Sequence, residues 1–313
     1  MREEIIYTVE MPYREPSQIK GYVFGEGEKS LAVVGSTRGN EIQQTYLAAQ
    51  LVHRLKHLEE KGLLIPGHKI LIIPTVNKVS LNVGKRFWPN DNSDINRMFP
   101  GYDLGEATQR IAAGVFEAVK GYKFGIQFTS FYRQGDFMPH VRYMDVVGPS
   151  GQAGDAFGLP YVMTYKPEPF DTTTLNYNWR LWDTDAYSVY TASTDRIDEK
   201  TADTAVRACL RFMNAQGIID YPCHQGFVPS HVREADMELA HTHKAGIFRC
   251  LAHPGDIVSH GALLAQVVSP MTGDVVEEIC APRGGVVFFT CSKPLVNEHT
   301  LAFGIITRDK ANG

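Results

Sequence analysis

Residues 29–52 read KSLAVVGSTRGNEIQQTYLAAQLV. The apolar run at 29–36 predicts a buried strand, and the apolar residues that recur every three or four positions further along predict a helix. Between the two lies a tight loop, GSTRGNE at 35–41, which places Arg38 three residues before Glu41. A loop at the carboxyl end of a strand is where an open α/β sheet usually builds its active site. This stretch therefore indicates an α/β fold and marks the first candidate site.

Helices and strands alternate through the first two-thirds of the chain. Strands are predicted at 29–36, 68–77, 123–131 and 185–193, and helices at 41–61, 105–122 and 198–219. The apolar positions are Ile42, Tyr46, Ala49, Val52 and Leu55 in the first helix, and Ile111, Val115, Phe116 and Val119 in the second. Short links between alternating elements predict an α/β fold with a mainly parallel mixed sheet and helices on both faces.

The character of the sequence changes after about residue 225. Short β-rich runs are separated there by turn sequences such as HPGD, PMTGD and PRGG, which predict a small all-β, barrel-like domain. The segment YPCHQGFVP (221–229) has the prolines and the glycine of a linker. We therefore predict an α/β domain at 1–225 and a β-rich domain at 226–313. We expect the second domain to cover the pocket or to form an oligomer contact.

Composition excludes several classes of partner. The 313 residues carry a formal net charge of −4 with a pI of about 6.3, so no basic surface for nucleic acid or an anionic membrane is expected. The first residues contain no apolar segment of the signal-peptide kind, and we expect a cytoplasmic protein. Five widely spaced cysteines without a C-x-x-C pair argue against a disulfide framework and against a cysteine-based zinc site.

The loop NVGKRFWPNDNSDINRMFPG (82–101) is polar and shows neither a helical nor a strand period. Its groups that can bind or catalyse are Arg86, Asp91, Asp94, Asn96 and Arg97. Loops this long inside a compact domain tend to be functional or disordered, and the aromatic residues in this one favour an ordered loop. Guanidinium groups bind planar carboxylates bidentately, which favours a ligand site. An Asp–Arg network that only braces the loop explains the composition equally well.

The chain resembles the succinylglutamate desuccinylase/aspartoacylase family in several segments. The main ones are GSTRGNE (35–41), RFWPNDNSDINRMFPG (86–101) and FGIQFTSFYRQGDFMPHVR (124–142), and the run DINRMFPG (94–101) is the most specific. AFGLPYV (156–162), RIDEK (196–200) and PLVNE (294–298) also fall in family order. The resemblance covers nearly the whole chain. It implies a zinc-carboxypeptidase-like α/β domain, a β-rich C-terminal domain and zinc-dependent hydrolysis of N-acyl amino acids.

The family's metal positions are substituted in this chain. A family motif similar to H-G-N-E supplies two zinc ligands, and it reads Arg38-Gly39-Asn40-Glu41 here. The third family ligand is a histidine at the end of a D-L-H strand, where this chain has Gly125-Ile126-Gln127. The family's general base is a glutamate in a T-x-E-x-G-like strand, and Tyr190 or Thr191 stands there. The resemblance thus leaves Glu41 as the one retained zinc ligand and leaves no carboxylate base.

These substitutions have a chemical consequence. A guanidinium stays protonated in proteins and has no lone pair to give to a metal, and Gln127 offers only a neutral carbonyl oxygen. We therefore predict a lost or altered zinc site, in which the charge of Arg38 stands where the metal's charge stood and pairs with Glu41. The site would stay cationic, with Arg38, Arg86 and Arg97 facing a small anionic ligand. By resemblance, Asn96 and Arg97 contact the polar groups of the substrate, and Arg86 polarises the scissile carbonyl or binds a carboxylate.

Three functions follow, and whether the chain is an enzyme is left open. The first, which we favour, is a protein with a lost or altered metal site that binds a small carboxylate or an N-acyl amino acid. The second is an active metallohydrolase that holds its metal with Glu41 and unconventional ligands such as His140 or Asp94. The third is a non-catalytic partner of an intact paralogue. We expect no nucleic-acid or membrane partner, and a homo-oligomer is left open.

Overall fold

A computed structural model describes residues 1–130, 135–146, 152–191 and 194–307 of the chain. The strands in these residues are β1 (Arg2–Val9), β2 (Ser17–Phe24), β3 (Gly27–Ser36), β4 (Gly67–Thr75), β5 (Phe124–Phe128), β6 (Gly135–Phe137), β7 (His140–Met144), β8 (Tyr161–Tyr165), β9 (Asp185–Tyr190), β10 (Ser230–Arg233), β11 (Glu238–His241), β12 (Gly246–Cys250), β13 (Ile257–Val258), β14 (Leu263–Val268), β15 (Val275–Cys280), β16 (Gly285–Cys291), β17 (Leu295–Val296) and β18 (Leu301–Thr307).

The α-helices of the described residues are α1 (Ile42–Glu60), α2 (Lys78–Asn82), α3 (Ala107–Val119), α4 (Leu175–Leu181) and α5 (Glu199–Ala215). Short 3-10 helices lie at Ile95–Arg97, Gln152–Phe157, Pro169–Asp171 and Glu234–Asp236. The predicted elements are present and their ends shift by a few residues. The predictions missed β1, β2, β6, β7, β8, α2 and α4. Across the described ranges, no helix combines the length and the apolar character needed to span a membrane.

Nine of the described strands form one large sheet in the order β1-β2-β4-β3-β5-β9-β7-β8-β10. The central strands β4, β3, β5 and β9 are parallel, whereas β9 and β7 pair antiparallel. The carboxyl ends of β3, β5 and β9 therefore meet at one edge of the sheet. That edge is where the loop after β3, the segment after β5 and the last residue of β9 come together.

Helices cover both faces of this sheet, as predicted. One core cluster joins α1 and α5 to alternate residues of the central strands, such as Leu31 and Val33 of β3. The other joins α3 and α4 to the intervening residues, such as Ala32 and Val34. Because successive side chains of a strand point to opposite faces, the continuous apolar run of β3 fills both cores.

The buried face of α1 differs from the predicted one. The buried residues are Gln43, Gln44, Leu47, Ala48, Leu51, Leu55 and Leu58, so of the five predicted positions only Leu55 is among them. Gln43 is buried because its side-chain amide binds the start of α5: Nε2 donates to the Asp198 carbonyl at 3.0 Å, and Oε1 accepts from the Asp198 N–H at 2.9 Å. The buried face thus joins a leucine stripe to a glutamine, while the predicted positions Tyr46 and Val52 pack partly buried against the same core. In α3, all four predicted apolar positions are buried.

The C-terminal part is all-β, as predicted. One sheet has the order β11-β18-β16-β13 with β6 added beside β16, and a second has the order β15-β14-β12-β17. Both sheets contribute to one apolar core. Strand β10 lies in the large sheet and β11 opens the C-terminal sheets, while β6 reaches across from the α/β part. The domain boundary at 225 and 226 stays a prediction.

Candidate functional site

Arg38 lies buried in the loop between β3 and α1, with only 4% of the residue exposed. Its Nε donates to both carboxylate oxygens of Asp94 at 3.1 Å, and Nη2 donates to Asp94 Oδ2 at 2.9 Å. On the other side, Nη1 donates to Glu41 Oε1 at 3.2 Å. Burial lowers the pKa of Arg38, but the two carboxylates outweigh burial and raise the pKa above its ordinary value. The guanidinium is thus a charged group clamped between two carboxylates.

The carboxylate of Glu41 is saturated by donors from this chain. Its Oε2 accepts the backbone N–H groups of Thr37 at 2.8 Å and Arg38 at 2.9 Å, and its Oε1 accepts the hydroxyl of Ser130 besides Arg38. Gly39 lets this loop approach the beginning of the 82–101 loop closely, because a Cβ there would lie 2.2 Å from the Lys85 carbonyl oxygen. The close approach brings Arg38 against Asp94.

Gln127 belongs to a chain of three buried side-chain amides. Its Nε2 donates to Asn96 Oδ1 at 3.1 Å, and its Oε1 accepts from Asn176 Nδ2 at 2.6 Å. The carbonyl oxygen that could have faced a metal is therefore bonded to an amide. Asn176 Oδ1 at the far end is buried without a hydrogen-bond partner among the described residues. A buried acceptor of this kind costs about 1–3 kcal/mol unless a ligand or water supplies a donor.

The donor set does not fit zinc. Of the three ligand positions that the resemblance implies, Arg38 has no lone pair, Glu41 is bonded to five donors and Gln127 is bonded to Asn176. In the described ranges, no group of three or more His, Cys, Asp and Glu side chains is arranged to hold a metal ion.

The alternative ligand set with Glu41, His140 and Asp94 is wrong for this structure. His140 is fully buried among Phe137, Phe288 and Tyr190, and its Nδ1 lies 2.7 Å from the Met138 carbonyl oxygen. Its Nε2 accepts from Arg142 Nε at 3.1 Å, so both ring nitrogens have protein partners. Burial, and then the charge of Arg142, hold the pKa of His140 well below its ordinary value. Asp94 in turn is held by Arg38.

Tyr190, at the position of the family's general base, ends β9 and is buried. Its ring stacks on His140 at a centroid distance of 4.9 Å, and the Arg142 guanidinium carbon lies 5.0 Å from its ring centre. Burial raises the pKa of Tyr190 above its ordinary value. A neutral phenol cannot take a proton from water as a carboxylate does, so Tyr190 does not replace the base. Thr191, the other residue at that position, is buried as well.

The two loop arginines are placed differently. Arg97 lines the cavity, and its Nη1 donates to the Phe170 carbonyl and, at 3.3 Å, to Asp171. Arg86 is half-buried, and it is not among the residues that line the cavity. Burial, and then the charge of Arg38, lower the pKa of Arg86. Of the three arginines predicted to face an anion, Arg38 and Arg97 therefore line the cavity and Arg86 does not.

A cavity of about 740 Å³ opens at the carboxyl edge of the large sheet. Besides Arg38, Asn96, Arg97, Gln127 and Tyr190, its lining includes residues that the sequence did not single out, among them Arg142, Tyr165, Asp171, Asn176 and Glu234. Arg142 follows His140 in the segment that carried the family resemblance, and it binds Glu234 at 3.1 Å. Asn176 and Asp171 gave no signal, because neither stands in a recognisable motif and both reach the site through long-range packing.

The sequence is similar to a family of known proteins and to one curated relative. The sequence model of the Succinylglutamate desuccinylase/Aspartoacylase catalytic domain matches residues 27–216. The N-alpha-acetyl-L-2,4-diaminobutyric acid deacetylase of Halomonas elongata is 31% identical over 88 residues, which are 28% of this chain and 24% of that protein. The chain thus matches about a quarter of the length of this curated relative.

Solved structures agree over nearly the whole chain. The succinylglutamate desuccinylase/aspartoacylase from Rhodobacter sphaeroides superimposes with a TM-score of 0.81 at 18% identity, covering 97% of this chain and 94% of that one. The product-bound ectoine utilization protein of Ruegeria pomeroyi gives a TM-score of 0.82 at 18% identity, covering 98% and 94%. At these identities the likeness shows the fold.

Proposed function

Since the chain belongs to the succinylglutamate desuccinylase/aspartoacylase family, we propose that it is a family member that binds a small carboxylate ligand without a metal. The match over residues 27–216 confirms the resemblance that the motifs indicated. Family members are deacylases, and the finer proposal concerns this chain alone: it keeps the cavity for an N-acyl amino acid or a related carboxylate and has lost the hydrolytic step.

One observation carries the proposal. The Arg38 guanidinium stands at the first metal-ligand position and is closed by Glu41 at 3.2 Å and Asp94 at 2.9 Å. A zinc ion would have to displace a buried cation from two carboxylates, and removing one partner of a buried ion pair typically costs 3–5 kcal/mol. Without the metal, water in the site keeps its ordinary pKa and is a poor nucleophile. The contact of Arg38 with Glu41 and Asp94 therefore accounts for the proposed loss of hydrolysis as well.

The carboxylate of the ligand is assigned to Arg97. This side chain uses Nη1 for the Phe170 carbonyl and for Asp171, while its Nε and Nη2 make no hydrogen bond within the described residues. The edge formed by Nε and Nη2 is the edge that binds a carboxylate bidentately. Asp171 and the Phe170 carbonyl hold the guanidinium in place from its other side, so little side-chain freedom is lost when the ligand binds.

The acylamide group of the ligand is assigned to the three hydrogen-bonded side-chain amides of Asn96, Gln127 and Asn176. Asn96 and Asn176 line the cavity together with Gln127, and Asn176 Oδ1 lacks a donor among the described residues. An acylamide N–H supplies such a donor. The curated relative is named for deacetylating an N-acetylated amino acid, which makes N-acetyl amino acids suitable probes.

Calorimetry tests the proposal. Succinate and N-acetyl-L-glutamate are titrated in EDTA into the wild type, into Arg97→Ala and into Arg207→Ala, which changes an exposed arginine on α5 outside the cavity. We expect binding by the wild type and the Arg207 control, and a loss on the order of 10- to 100-fold in Arg97→Ala, because charge-assisted hydrogen bonds contribute about 1.5–3 kcal/mol. N-acetyl-L-glutamate should be recovered intact. Binding that needs added zinc, or release of glutamate, would contradict the proposal.

A further inference from the structure

The four-stranded sheet of the C-terminal part has two unlike faces. Its inner face lies in the apolar core with Phe248, Val267 and Ile279. Its outward face consists of residues that cross-strand pairing places side by side, because directly opposite residues of antiparallel strands point to the same side. These residues fall into rows that run across the strands.

One row on the outward face is apolar across all four strands. In register, Leu295 pairs with Ile247, Ile247 with Val268 and Val268 with Val275. Leu295 is 62% exposed, Ile247 42% and Val275 47%. Val268 between them is partly exposed. Single exposed apolar residues need no explanation, but a row of apolar side chains at the surface marks an interaction site.

The next row is polar and carries opposite charges at its two ends. Arg249 pairs with Gln266 and Gln266 with Glu278. Arg249 Nη1 donates to Gln266 Oε1 at 3.3 Å, and Gln266 Nε2 donates to Glu278 Oε1 at 3.1 Å. Neither Arg249 nor Glu278 forms an ion pair with another residue of the described ranges. Both charges are thus open to a partner. Beyond this row, Leu263 pairs with Cys280, and both are exposed.

We propose that this face, the row Leu295–Ile247–Val268–Val275 with the row Arg249–Gln266–Glu278, docks a second copy of the same chain. A two-fold axis that runs parallel to β14 between two such faces maps each row onto the same row of the partner and reverses the strand order. With the axis over β14, Arg249 lies opposite the partner's Glu278, Ile247 lies opposite the partner's Val275, and Val268 faces its own copy. Sheets that pack face to face keep their strands nearly aligned, as this arrangement requires.

The pattern selects a second copy because it is self-complementary. An isologous interface brings the same patch of each subunit together, so each contact occurs twice. A row that is positive at one end, neutral in the middle and negative at the other pairs with its own reversed copy. A partner that was uniformly acidic or basic would place like charges together at one end of the row.

Charge reversal tests the proposal. Sedimentation velocity is measured on the wild type, on Arg249→Glu, on Glu278→Arg and on an equimolar mixture of the two variants. The wild type is expected to be a dimer. Each variant alone places like charges opposite each other at both ends of the row, and its self-association should weaken on the order of 100-fold. In the mixture both contacts again join opposite charges, so the heterodimer should form.

Arg283→Glu is the matched control, because Arg283 is exposed in the same module and pairs with Glu238 outside the two rows. It should leave the dimer intact, and thermal melting should show all variants folded. A monomeric wild type, dimers that survive either reversal, or a mixture that stays monomeric would each overturn the proposal. Recovery of the dimer in the mixture cannot be produced by two misfolded chains, so it separates the interface from a loss of folding.

Discussion

Replacing Arg38 by methionine removes the buried cation and leaves two carboxylates facing each other. Arg38 is 4% exposed, and the side chains of Glu41 and Asp94 are 2% and 17% exposed. Breaking a buried pair by removing one partner typically costs about 3–5 kcal/mol. At roughly 2 °C per kcal/mol for a chain of this size, Tm should fall by about 6–10 °C. The loss is electrostatic, since methionine retains most of the apolar stem.

Thermal melting and urea unfolding measure the effect, and a second variant isolates its cause. In Arg38→Met with Glu41→Gln, one of the two uncompensated charges is gone, so part of the lost stability should return. Glu41→Gln alone should destabilise the chain less than Arg38→Met does, because Asp94 still neutralises the arginine. Wild-type stability in Arg38→Met, or no recovery in the double variant, would refute the view that this guanidinium neutralises the site.

Three further outcomes are expected. Arg38→His combined with Gln127→His restores the implied ligand set and should let the chain retain zinc through dialysis. Each single variant should retain none. An unchanged zinc content in the double variant would mean that one of the two residues does not stand at a ligand position. Burial and the charge of Arg142 keep His140 neutral in the fold, so below about pH 6.5 only the unfolded chain gains this proton and stability falls by up to about 1.4 kcal/mol per pH unit. His140→Gln should flatten that slope in urea unfolding at pH 5 and 7. Burial raises the pKa of Cys209 to about 12, so maleimide at pH 7 should label this thiol only after unfolding.

Local patterns predicted much of the fold. The apolar run of β3 and the period of α3 depend on neighbouring residues in sequence, and both elements form where they were expected. On α1 the sequence prediction omitted Gln43, which is buried because its amide binds the backbone of Asp198, more than a hundred residues away. A hydropathy pattern treats a buried glutamine as exposed, so contacts of this kind are invisible to it.

The site was predicted only in part, again because contacts between residues close in sequence leave a signal and long-range contacts do not. The pairing of Arg38 with Glu41 follows from their spacing in one loop, and the composition of the 82–101 loop indicated an Asp–Arg contact. Asp94 proved to bind Arg38 from another segment, so the aspartate joins two loops as well as bracing its own. Asn176 and Arg142 enter the cavity from α4 and β7, and only the assembled sheet brings them there.

The metal content of the protein tests the central claim most directly. The chain is purified without chelators, dialysed against trace zinc and analysed for bound metal, with Arg38→His/Gln127→His treated in the same way as a positive control. A site closed by Arg38, Glu41 and Asp94 predicts far less than one zinc per wild-type chain and a higher content in the double variant. Stoichiometric zinc in the wild type that is lost in Glu41→Gln would contradict the account and favour an active metallohydrolase.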